Sequence, residues 1–400
     1  MKKEYRYNHK GLYKVGSKAF TNKFEACLEL NTIPGDHHLH WDYHEDLFSK
    51  ANWEHEPPVS ILELYKQRAL QLREQYDHLV LFYSGGADSH TILQAFINNN
   101  IKLDEVFMYG SIKAEEEVNK KIGFDLKEGY YTRELFHIAL PVLKELQKTH
   151  KFKLTVWDWT DRTLEVLKDP DWFWSIGDLS RLAPDALPRN YFHEALRHND
   201  IYEDRGKKVA FIFGLDKPRL FRDNHSIYLA FIDITYATGV GNNAGIEGRN
   251  WGSNEYFYWS PNMPEIPVKQ AHMIYNFLKK TNGFNKITHI NQLGGFHNSE
   301  YYKMIHPIIY PQWNQDIWQI NKPTSNITNT SKWFFDSAKT KETKKQWFAG
   351  IKEVERQLGG RHFNNNSVMS GLTGCYSKFY KIADISADSS RITVDSDRTL

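Results

Sequence analysis

The chain has 400 residues and a nearly balanced charge, with 51 Lys and Arg against 49 Asp and Glu and a formal net charge of +2. Hydrophobic residues make up 40% and charged residues 25%, which is typical of a globular protein of roughly two to three domains and excludes a disordered or strongly basic chain. No apolar run approaches the ~20 residues that span a bilayer, and the N-terminus lacks the apolar core of a signal peptide. The only cysteines, Cys27 and Cys375, lie too far apart for a C-x-x-C motif and are too few for a Cys-rich zinc site. From the cysteine usage we expect a cytoplasmic protein, and from the absence of a long apolar run we expect no membrane partner.

The first 78 residues predict a small accessory region that packs on the core. Loose alternation over residues 5–20 favours short strands or a hairpin, and residues 24–30 favour a short helix. Four histidines and four acidic residues between Asp36 and Asp46 could bind a transition metal. Their spacing matches no zinc signature, so we favour a polar loop packed by Trp41 and Tyr43.

A helix is predicted over residues 60–76, after a break at Pro57 and Pro58. Ser60 is its expected N-cap, and Glu63 completes a capping box, in which each side chain bonds the backbone N–H of the other residue. Apolar residues recur on one face, so we expect the helix to pack on the sheet that follows.

The stretch from Leu79 to Leu93 carries the strongest signal in the chain. Residues 79–83 are all apolar or aromatic and predict a buried parallel strand, and an apolar pattern resumes at helical spacing from Thr91. Between them lies a turn of small residues: Ser84, Gly85, Gly86, Ala87, Asp88 and Ser89. A strand, a glycine turn and a helix N-terminus make an anion site, because unpaired N–H groups and the helix dipole point at the turn.

The side chains of this turn also suit a phosphate. The two glycines let a phosphate approach the backbone, and Ser84 and Ser89 add hydroxyl donors. Asp88 can hold a cation that bridges phosphate oxygens. The alternative interpretation is a tight turn with a Ser or Asp helix cap.

Strands and helices alternate after the turn. The further predicted strands are 104–109, 153–157, 208–213 and 227–233, and the predicted helices are 131–148 and a segment within 179–202. This alternation predicts an α/β protein with a Rossmann-like, mostly parallel five-stranded sheet and right-handed crossovers. Ligands of such sheets bind at the carboxyl ends of the strands, where the Ser84–Ser89 turn lies.

From residue 261 onward the pattern becomes helical, with helices predicted over 268–280, 299–309 and 333–358. We therefore divide the chain into the N-terminal region 1–78, a sheet domain 79–260, a helical C-terminal region 261–385 and a polar tail 386–400. The C-terminal region folds over the mouth of the sheet in this interpretation. Its aromatic residues could line an acceptor pocket, but we favour core packing; they include Tyr301, Tyr302, Tyr310, Trp313, Trp318 and Trp333.

The string S-G-G-A-D-S in this setting resembles the pyrophosphate loop of the N-type ATP pyrophosphatases, or PP-loop proteins. This adenine nucleotide alpha hydrolase-like superfamily includes asparagine synthetase, GMP synthetase and tRNA-modifying enzymes. The string is not a Walker A loop, because the G-x-x-x-x-G-K-S/T spacing is absent. The resemblance covers residues 79–260 at most. The layout also resembles asparagine-synthase-like proteins of tailed bacteriophages, which would place the protein in a host cytoplasm.

The resemblance implies further site residues at two other strand ends. Relatives bind adenine with backbone groups after the second strand, where this chain has Tyr109, Gly110 and Ser111. After the fourth strand come Gly214, Asp216, Lys217 and Arg219. Here Asp216 could share a metal with Asp88, and Lys217 or Arg219 could neutralise charge on the β- and γ-phosphates. The alternative is an ordinary surface loop after a buried strand.

The implied cofactors are ATP and Mg²⁺, and the implied reaction is attack of a carbonyl or carboxylate oxygen on the α-phosphorus. Pyrophosphate leaves, and a nitrogen nucleophile then displaces AMP from the adenylate. Two isolated cysteines disfavour sulfur transfer. Residue 2 is Lys rather than a catalytic cysteine, so we expect no glutaminase domain and an external amine or ammonia. The expected enzyme is an asparagine-synthase-like ligase, with its acceptor (a small molecule or nucleobase) and its oligomeric state left open.

Two other functions remain as alternatives. One is a reductase of adenylylated sulfate (APS or PAPS) or a sulfurtransferase, for which Cys375 is the supporting feature. The other is a nucleotide-binding protein without catalysis. The joint presence of both glycines, both serines and Asp88 in the turn counts against the second alternative.

Overall fold

A computed structural model describes residues 11–34, 39–114, 116–117, 139–173, 207–215, 217–233, 253–292, 299–313, 333–334, 341–359, 362–363 and 372–385. Several sequence predictions fall on residues outside these ranges: the helix within 179–202, the candidate metal ligand Asp216 and the polar tail 386–400.

The strands are numbered in chain order: β1 Leu12–Val15, β2 Lys18–Phe20, β3 His40–Asp42, β4 His78–Phe82, β5 Glu105–Gly110, β6 Lys153–Asp158, β7 Val209–Phe213, β8 Arg219–Arg222, β9 Ser226–Ala230, β10 Ser253–Tyr256, β11 Thr288–His289 and β12 Tyr380–Asp384. The α-helices are α1 Lys23–Thr32, α2 Glu45–Phe48, α3 Ile61–Gln75, α4 Ala87–Ile97, α5 Leu140–Leu146, α6 Thr160–Val166, α7 Glu265–Thr281, α8 Ser299–Ile309 and α9 Lys341–Leu358. Short 3₁₀ turns occupy Phe284–Lys286 and Ile290–Gln292.

A five-stranded, all-parallel sheet forms the centre of the fold, with strand order β10-β7-β4-β5-β6. All five residues of β4 and all five of β7 are buried, as expected for strands covered on both faces. Within this sheet, β4 comes first in the chain and is central. Strands β5 and β6 extend the sheet to one side, and β7 and β10 extend it to the other. This is the order of a Rossmann-like doubly wound fold, so the predicted α/β class with a parallel five-stranded sheet is confirmed.

The predicted fifth strand, residues 227–233, was assigned to the wrong sheet. β9 pairs antiparallel with β8, in a four-stranded sheet of order β11-β8-β9-β12. The carboxylate of Asp223 closes the short connection by accepting the N–H groups of His225 at 2.7 Å and Ser226 at 2.6 Å. Such a short connection permits only an antiparallel hairpin, because a parallel pair needs a long crossover.

The fifth parallel strand is β10, and sequence reasoning missed it because its residues, Ser-Asn-Glu-Tyr, are polar. Glu255 in its middle is fully buried, and its Oε2 lies 2.6 Å from a guanidinium nitrogen of Arg68 on α3. Tyr76 donates a second, short hydrogen bond to the same carboxylate. A buried ion pair therefore replaces the apolar side chains that mark a core strand.

The N-terminal residues form a small antiparallel sheet of order β2-β1-β3. Trp41 and Tyr43 are each about 1% exposed and stack with ring centroids 4.8 Å apart, so the expected packing by these two residues is observed. The expected loop is not, because His40–Asp42 form strand β3, which pairs with β1, and α2 begins at Glu45. His37 and His38 lie outside the described residues. Tyr43 donates a hydrogen bond to the backbone oxygen of Trp259 at 2.8 Å, which ties this region to the segment after β10.

Ser60 caps α3 as predicted, accepting the backbone N–H of Glu63 at 3.2 Å. The Glu63 carboxylate instead accepts hydrogen bonds from Lys66 and Gln67, both at 3.3 Å. Only the serine half of the predicted capping box is therefore observed.

The C-terminal helices α7, α8 and α9 lie where helices were predicted, and β12 then returns to pair with β9. α9 buries Trp347, Ile351 and Val354 in a cluster with Phe24 and Cys27 of α1. In the part of the chain that the structure describes, no helix combines the length and the hydrophobicity needed to cross a bilayer.

Candidate functional site

The Ser84–Ser89 turn lies at the carboxyl end of β4, between the ends of β5 and β7. These neighbours belong to the two opposite sides of the doubly wound sheet, so the turn occupies the switch point where such folds bind ligands. Gly85 has φ +80°, a conformation that strains any other residue, and Gly86 is the N-cap of α4. The backbone thus turns sharply enough for a helix to start directly above the strand.

The first turn of α4 presents free donors. No side chain caps this helix. Among the described residues, the backbone N–H groups of Gly85, Ala87, Asp88 and Ser89 have no hydrogen-bond acceptor. The alternative of a Ser or Asp helix cap is therefore not what the structure has, and the site keeps the donors that an anion requires.

The two serines shape the turn. Ser84 is exposed, and its Oγ accepts the Gly86 N–H at 3.3 Å. Ser89 is buried, accepts the Ser84 N–H at 3.2 Å and donates to the Gly86 carbonyl at 3.2 Å. These bonds fix the backbone of the turn from within, and none of them is a side-chain cap of α4.

Asp88 is held by an ion pair and by two hydrogen bonds from tyrosines. Its Oδ2 forms a short ion pair with Nζ of Lys217, and its Oδ1 accepts a short hydrogen bond from the Tyr310 hydroxyl. Tyr258 donates to its backbone oxygen at 2.7 Å. Burial alone would raise the pKa of the Asp88 carboxyl. The charges of Lys217 and His306 and the bonds from Lys217 and Tyr310 outweigh burial and lower that pKa, so Asp88 is ionised at neutral pH.

The segment after β7 reaches the turn, as the sequence predicted. A Cβ atom on Gly214 would lie 3.1 Å from the Asp88 carbonyl carbon and 3.1 Å from the Ser89 nitrogen, so this position tolerates only glycine without a shift. Lys217 follows three residues later and brings its ammonium to Asp88. The structure therefore joins Gly214 and Lys217 to the turn.

Arg219 is the first residue of β8 and is buried. Its guanidinium carbon lies 5.9 Å from the ring centroid of Tyr302, and Nζ of Lys217 lies 5.4 Å from the same centroid. Both predicted cations thus contact one aromatic ring on α8.

The end of β5, predicted as the adenine position, is packed against the end of β6. The Ser111 hydroxyl accepts the indole N–H of Trp159 at 2.7 Å, and the Gly110 carbonyl accepts the Trp159 backbone N–H at 3.0 Å. Tyr109 is half-buried, and its ring centroid lies 4.8 Å from that of Trp159. These three residues border the turn on the β5 side, and their role in binding adenine remains a prediction.

Sequence reasoning did not connect three residues with Asp88: Tyr258, His306 and Tyr310. Tyr258 follows β10, so missing that strand also hid its carboxyl end. Tyr302, His306 and Tyr310 follow one another at four-residue spacing, which places them on one face of α8 and its end. That spacing was the available signal, although it does not reveal which loop the face meets.

Both cysteines are buried free thiols. Burial raises the pKa of the Cys375 thiol well above its usual range, and the neighbouring Lys23 only partly offsets this. Asp233 accepts the Cys375 backbone N–H at 2.6 Å and pairs with the buried ammonium of Lys23 at 2.6 Å. A thiolate is the reactive form of cysteine, so this setting argues against Cys375 as the nucleophile of a reductase.

Around Asp88, the residues suit Mg²⁺ only together with phosphates. Across the described ranges, no three His, Cys, Asp or Glu side chains are grouped so that they could hold a metal by themselves. Magnesium commonly takes one or two carboxylates and completes its shell with phosphates and water. Asp88 can provide one such oxygen once Lys217 moves away from Oδ2.

The charges of the site determine what it can do chemically. Unpaired N–H groups, a helix N-terminus and the ammonium of Lys217 favour a polyanion, and the ionised carboxylate of Asp88 favours a cation bound with it. Comparison of the chain with models of known protein families and with curated protein sequences finds no match.

Proposed function

We propose that the protein binds ATP with the β- and γ-phosphates in the Ser84–Ser89 turn and acts as an ATP pyrophosphatase. The single observation that carries this proposal is the first turn of α4, which is uncapped, has unpaired N–H groups and faces Lys217. A side chain that capped α4 would have used these N–H groups within the protein. Because no side chain caps the helix, the N–H groups can donate to a ligand with several negative oxygens.

In the proposed reaction, a carbonyl or carboxylate oxygen of the acceptor attacks the α-phosphorus. The new O–P bond forms as the bond to the bridging oxygen of pyrophosphate breaks, and that oxygen leaves with the electron pair. A nitrogen nucleophile then attacks the activated carbon, loses a proton and displaces AMP. The product is an amide or an amidine-like nitrogen compound, as in an asparagine-synthase-like ligase supplied with an external amine or ammonia.

The residues of the chain act on charge and position in this scheme. The N–H groups of α4 and the ammonium of Lys217 would stabilise the charge that accumulates on pyrophosphate. Lys217 is 16% exposed and paired with Asp88, and in this scheme its ammonium exchanges the carboxylate for a phosphate. Mg²⁺ bound with the nucleotide would supply further charge neutralisation, and Asp88 is the described residue that would hold it.

The test needs no knowledge of the acceptor. Isothermal titration calorimetry with Mg·ATP and with inorganic pyrophosphate should show two ligands that compete for one site. Lys217→Met should weaken both, whereas Lys148→Met, which removes an exposed cation just after α5, should weaken neither. Absence of binding by the wild type, or ATP binding that pyrophosphate does not displace, would contradict the proposal.

Catalysis is tested separately by pyrophosphate release in the presence of ammonium and pools of carboxylates, amides and nucleosides. Release that depends on both the acceptor and ammonium is the expected result. Tight ATP binding without release from any pool would favour the alternative of a nucleotide-binding protein that does not catalyse. Sulfite release dependent on thiols would favour the reductase, against which the burial of Cys375 argues.

A further inference from the structure

We infer that Tyr310 is a positioning residue of the phosphate site, supplied by the C-terminal region to hold the carboxylate of Asp88. Tyr310 directly follows α8 and lies 222 residues from Asp88 along the chain. Its hydroxyl donates to Oδ1 of Asp88, and its ring is fully buried. The inference rests on the proposed function, because it assigns Tyr310 a role in the use of ATP.

The two carboxylate oxygens of Asp88 have partners of different kinds. Lys217 holds Oδ2 from a loop and retains some exposure to solvent. Phosphates entering the turn attract the same ammonium, so Oδ2 is the oxygen that changes its partner when a nucleotide binds. Tyr310 holds Oδ1 and bears no charge that a phosphate would attract.

Tyr310 is itself fixed from several directions. Its backbone N–H donates to His306 at 2.8 Å, and its carbonyl accepts the N–H of Trp313 at 2.9 Å. Its ring centroid lies 5.5 Å from that of Tyr258, whose hydroxyl holds the backbone oxygen of Asp88. The two tyrosines therefore fix the side chain and the main chain of the same residue.

The position of the Tyr310 hydroxyl suits this role. It is a neutral donor on a fully buried ring, so a change of charge at Oδ2 does not by itself draw it away from Oδ1. When Lys217 turns to a phosphate, the Tyr310 bond is the one that still orients the carboxylate towards a metal bound with the nucleotide. Small errors in such positions are costly to catalysis.

Tyr65 offers a matched control within the same aromatic cluster. It is also buried, and its hydroxyl donates to the Ile309 carbonyl at 2.8 Å and accepts from Gln270 at 2.8 Å. Tyr65→Phe thus removes a buried hydroxyl that bonds Ile309, the residue before Tyr310, and it leaves the hydrogen bonds of Asp88 intact. Tyr310→Phe removes one oxygen atom and keeps the ring, so both variants should fold.

The experiment measures Mn²⁺ binding by electron paramagnetic resonance in the presence of adenosine 5′-(α,β-methylene)triphosphate. Tyr310→Phe should weaken Mn²⁺ binding about tenfold or more, because a hydrogen bond to a charged group is lost. With substrate, its kcat for pyrophosphate release should fall by about 10- to 100-fold while the KM for ATP changes little. Tyr65→Phe should retain wild-type Mn²⁺ binding and kcat.

The outcomes separate the two proposals. Wild-type protein that binds neither the analogue nor Mn²⁺ overturns the proposed function and the role of Tyr310 with it. Wild-type protein that binds both, with Tyr310→Phe indistinguishable from Tyr65→Phe in metal binding and kcat, overturns only the positioning role. Equal losses of thermal stability in the two variants, with metal binding impaired in Tyr310→Phe alone, is the supporting result.

Discussion

The ion pair between Asp88 and Lys217 gives the sharpest test of how the site is built. Lys217→Met keeps an unbranched side chain, one atom shorter, and removes its charge. The Tyr310 hydroxyl is then the remaining described side-chain hydrogen bond to the Asp88 carboxylate. Breaking a fully buried pair costs about 3–5 kcal/mol, whereas an exposed pair contributes about 0.2–1 kcal/mol. The side chains of Lys217 and Asp88 are 16% and 20% exposed, so an intermediate loss of about 1–3 kcal/mol in the free energy of unfolding is expected.

The double variant Asp88→Asn/Lys217→Met separates stability from function. Removing the second charge should restore part of the stability, because no uncompensated carboxylate remains in the site. It should not restore ATP binding, which should stay roughly 10- to 100-fold weaker than in the wild type because a charged hydrogen bond to phosphate is missing.

The assays are chemical denaturation for stability and calorimetry with Mg·ATP for binding, on the wild type, both single variants and the double variant. Wild-type ATP affinity in the double variant would refute a phosphate-binding role for Lys217. Additive stability losses, with a coupling energy near zero, would refute the ion pair itself.

Three further predictions test the turn, the ionisation of Asp88 and the hidden strand. Gly85→Ala should weaken ATP binding and cost about 1–2 kcal/mol of stability, because φ is +80° there. Gly359→Ala, at φ +69° with open space around it, is the control and should cost stability alone. Unchanged ATP binding in Gly85→Ala would argue against the turn as the phosphate site. The folded-state pKa of Asp88 is lowered, so its contribution is present above the unfolded pKa of about 3.9 and disappears as pH falls through the folded pKa. The stability difference between wild type and Asp88→Asn should therefore be constant from about pH 7 to 5 and shrink below about pH 4 in denaturation curves, and a difference that changes near pH 6 would point to another group. Glu255→Ala should lower the free energy of unfolding by about 3–5 kcal/mol in the same assay, because the buried Arg68 charge loses its carboxylate. The double variant Glu255→Leu/Arg68→Met should regain part of that free energy. A loss below about 1 kcal/mol in Glu255→Ala would mean that the pair is solvated.

Helix α8 of the C-terminal region and the residue that follows it supply side chains to the candidate site. α8 contacts the segment after β7 through Tyr301, whose hydroxyl donates to the Pro218 carbonyl at 2.9 Å. The same helix places Tyr302 against Lys217 and Tyr310 against Asp88. The candidate site is therefore assembled from the sheet and the C-terminal helices together, and removing the helices would leave Asp88 without the hydroxyl of Tyr310.

Local patterns predicted the parts of the protein whose information is contiguous in the chain. The buried strand, the glycine turn and the start of α4 occupy neighbouring residues, and each imposes its own backbone preference. The alternation of strands and helices was enough for the parallel sheet, because crossover connections force that topology. The same reasoning failed for β9, where a short Asp223 turn reversed the chain, and for β10, where Arg68 compensates a buried glutamate that looks like surface.

The partners of Asp88 required the folded chain. Lys217 is 129 residues away and Tyr310 is 222 residues away, and no periodicity relates positions so distant. Tyr310 looks like any core aromatic until packing brings its hydroxyl to a carboxylate. Short-range sterics and hydrogen bonding determine a turn from its own residues, whereas the electrostatics of a site depend on which distant segments the core brings into contact with it.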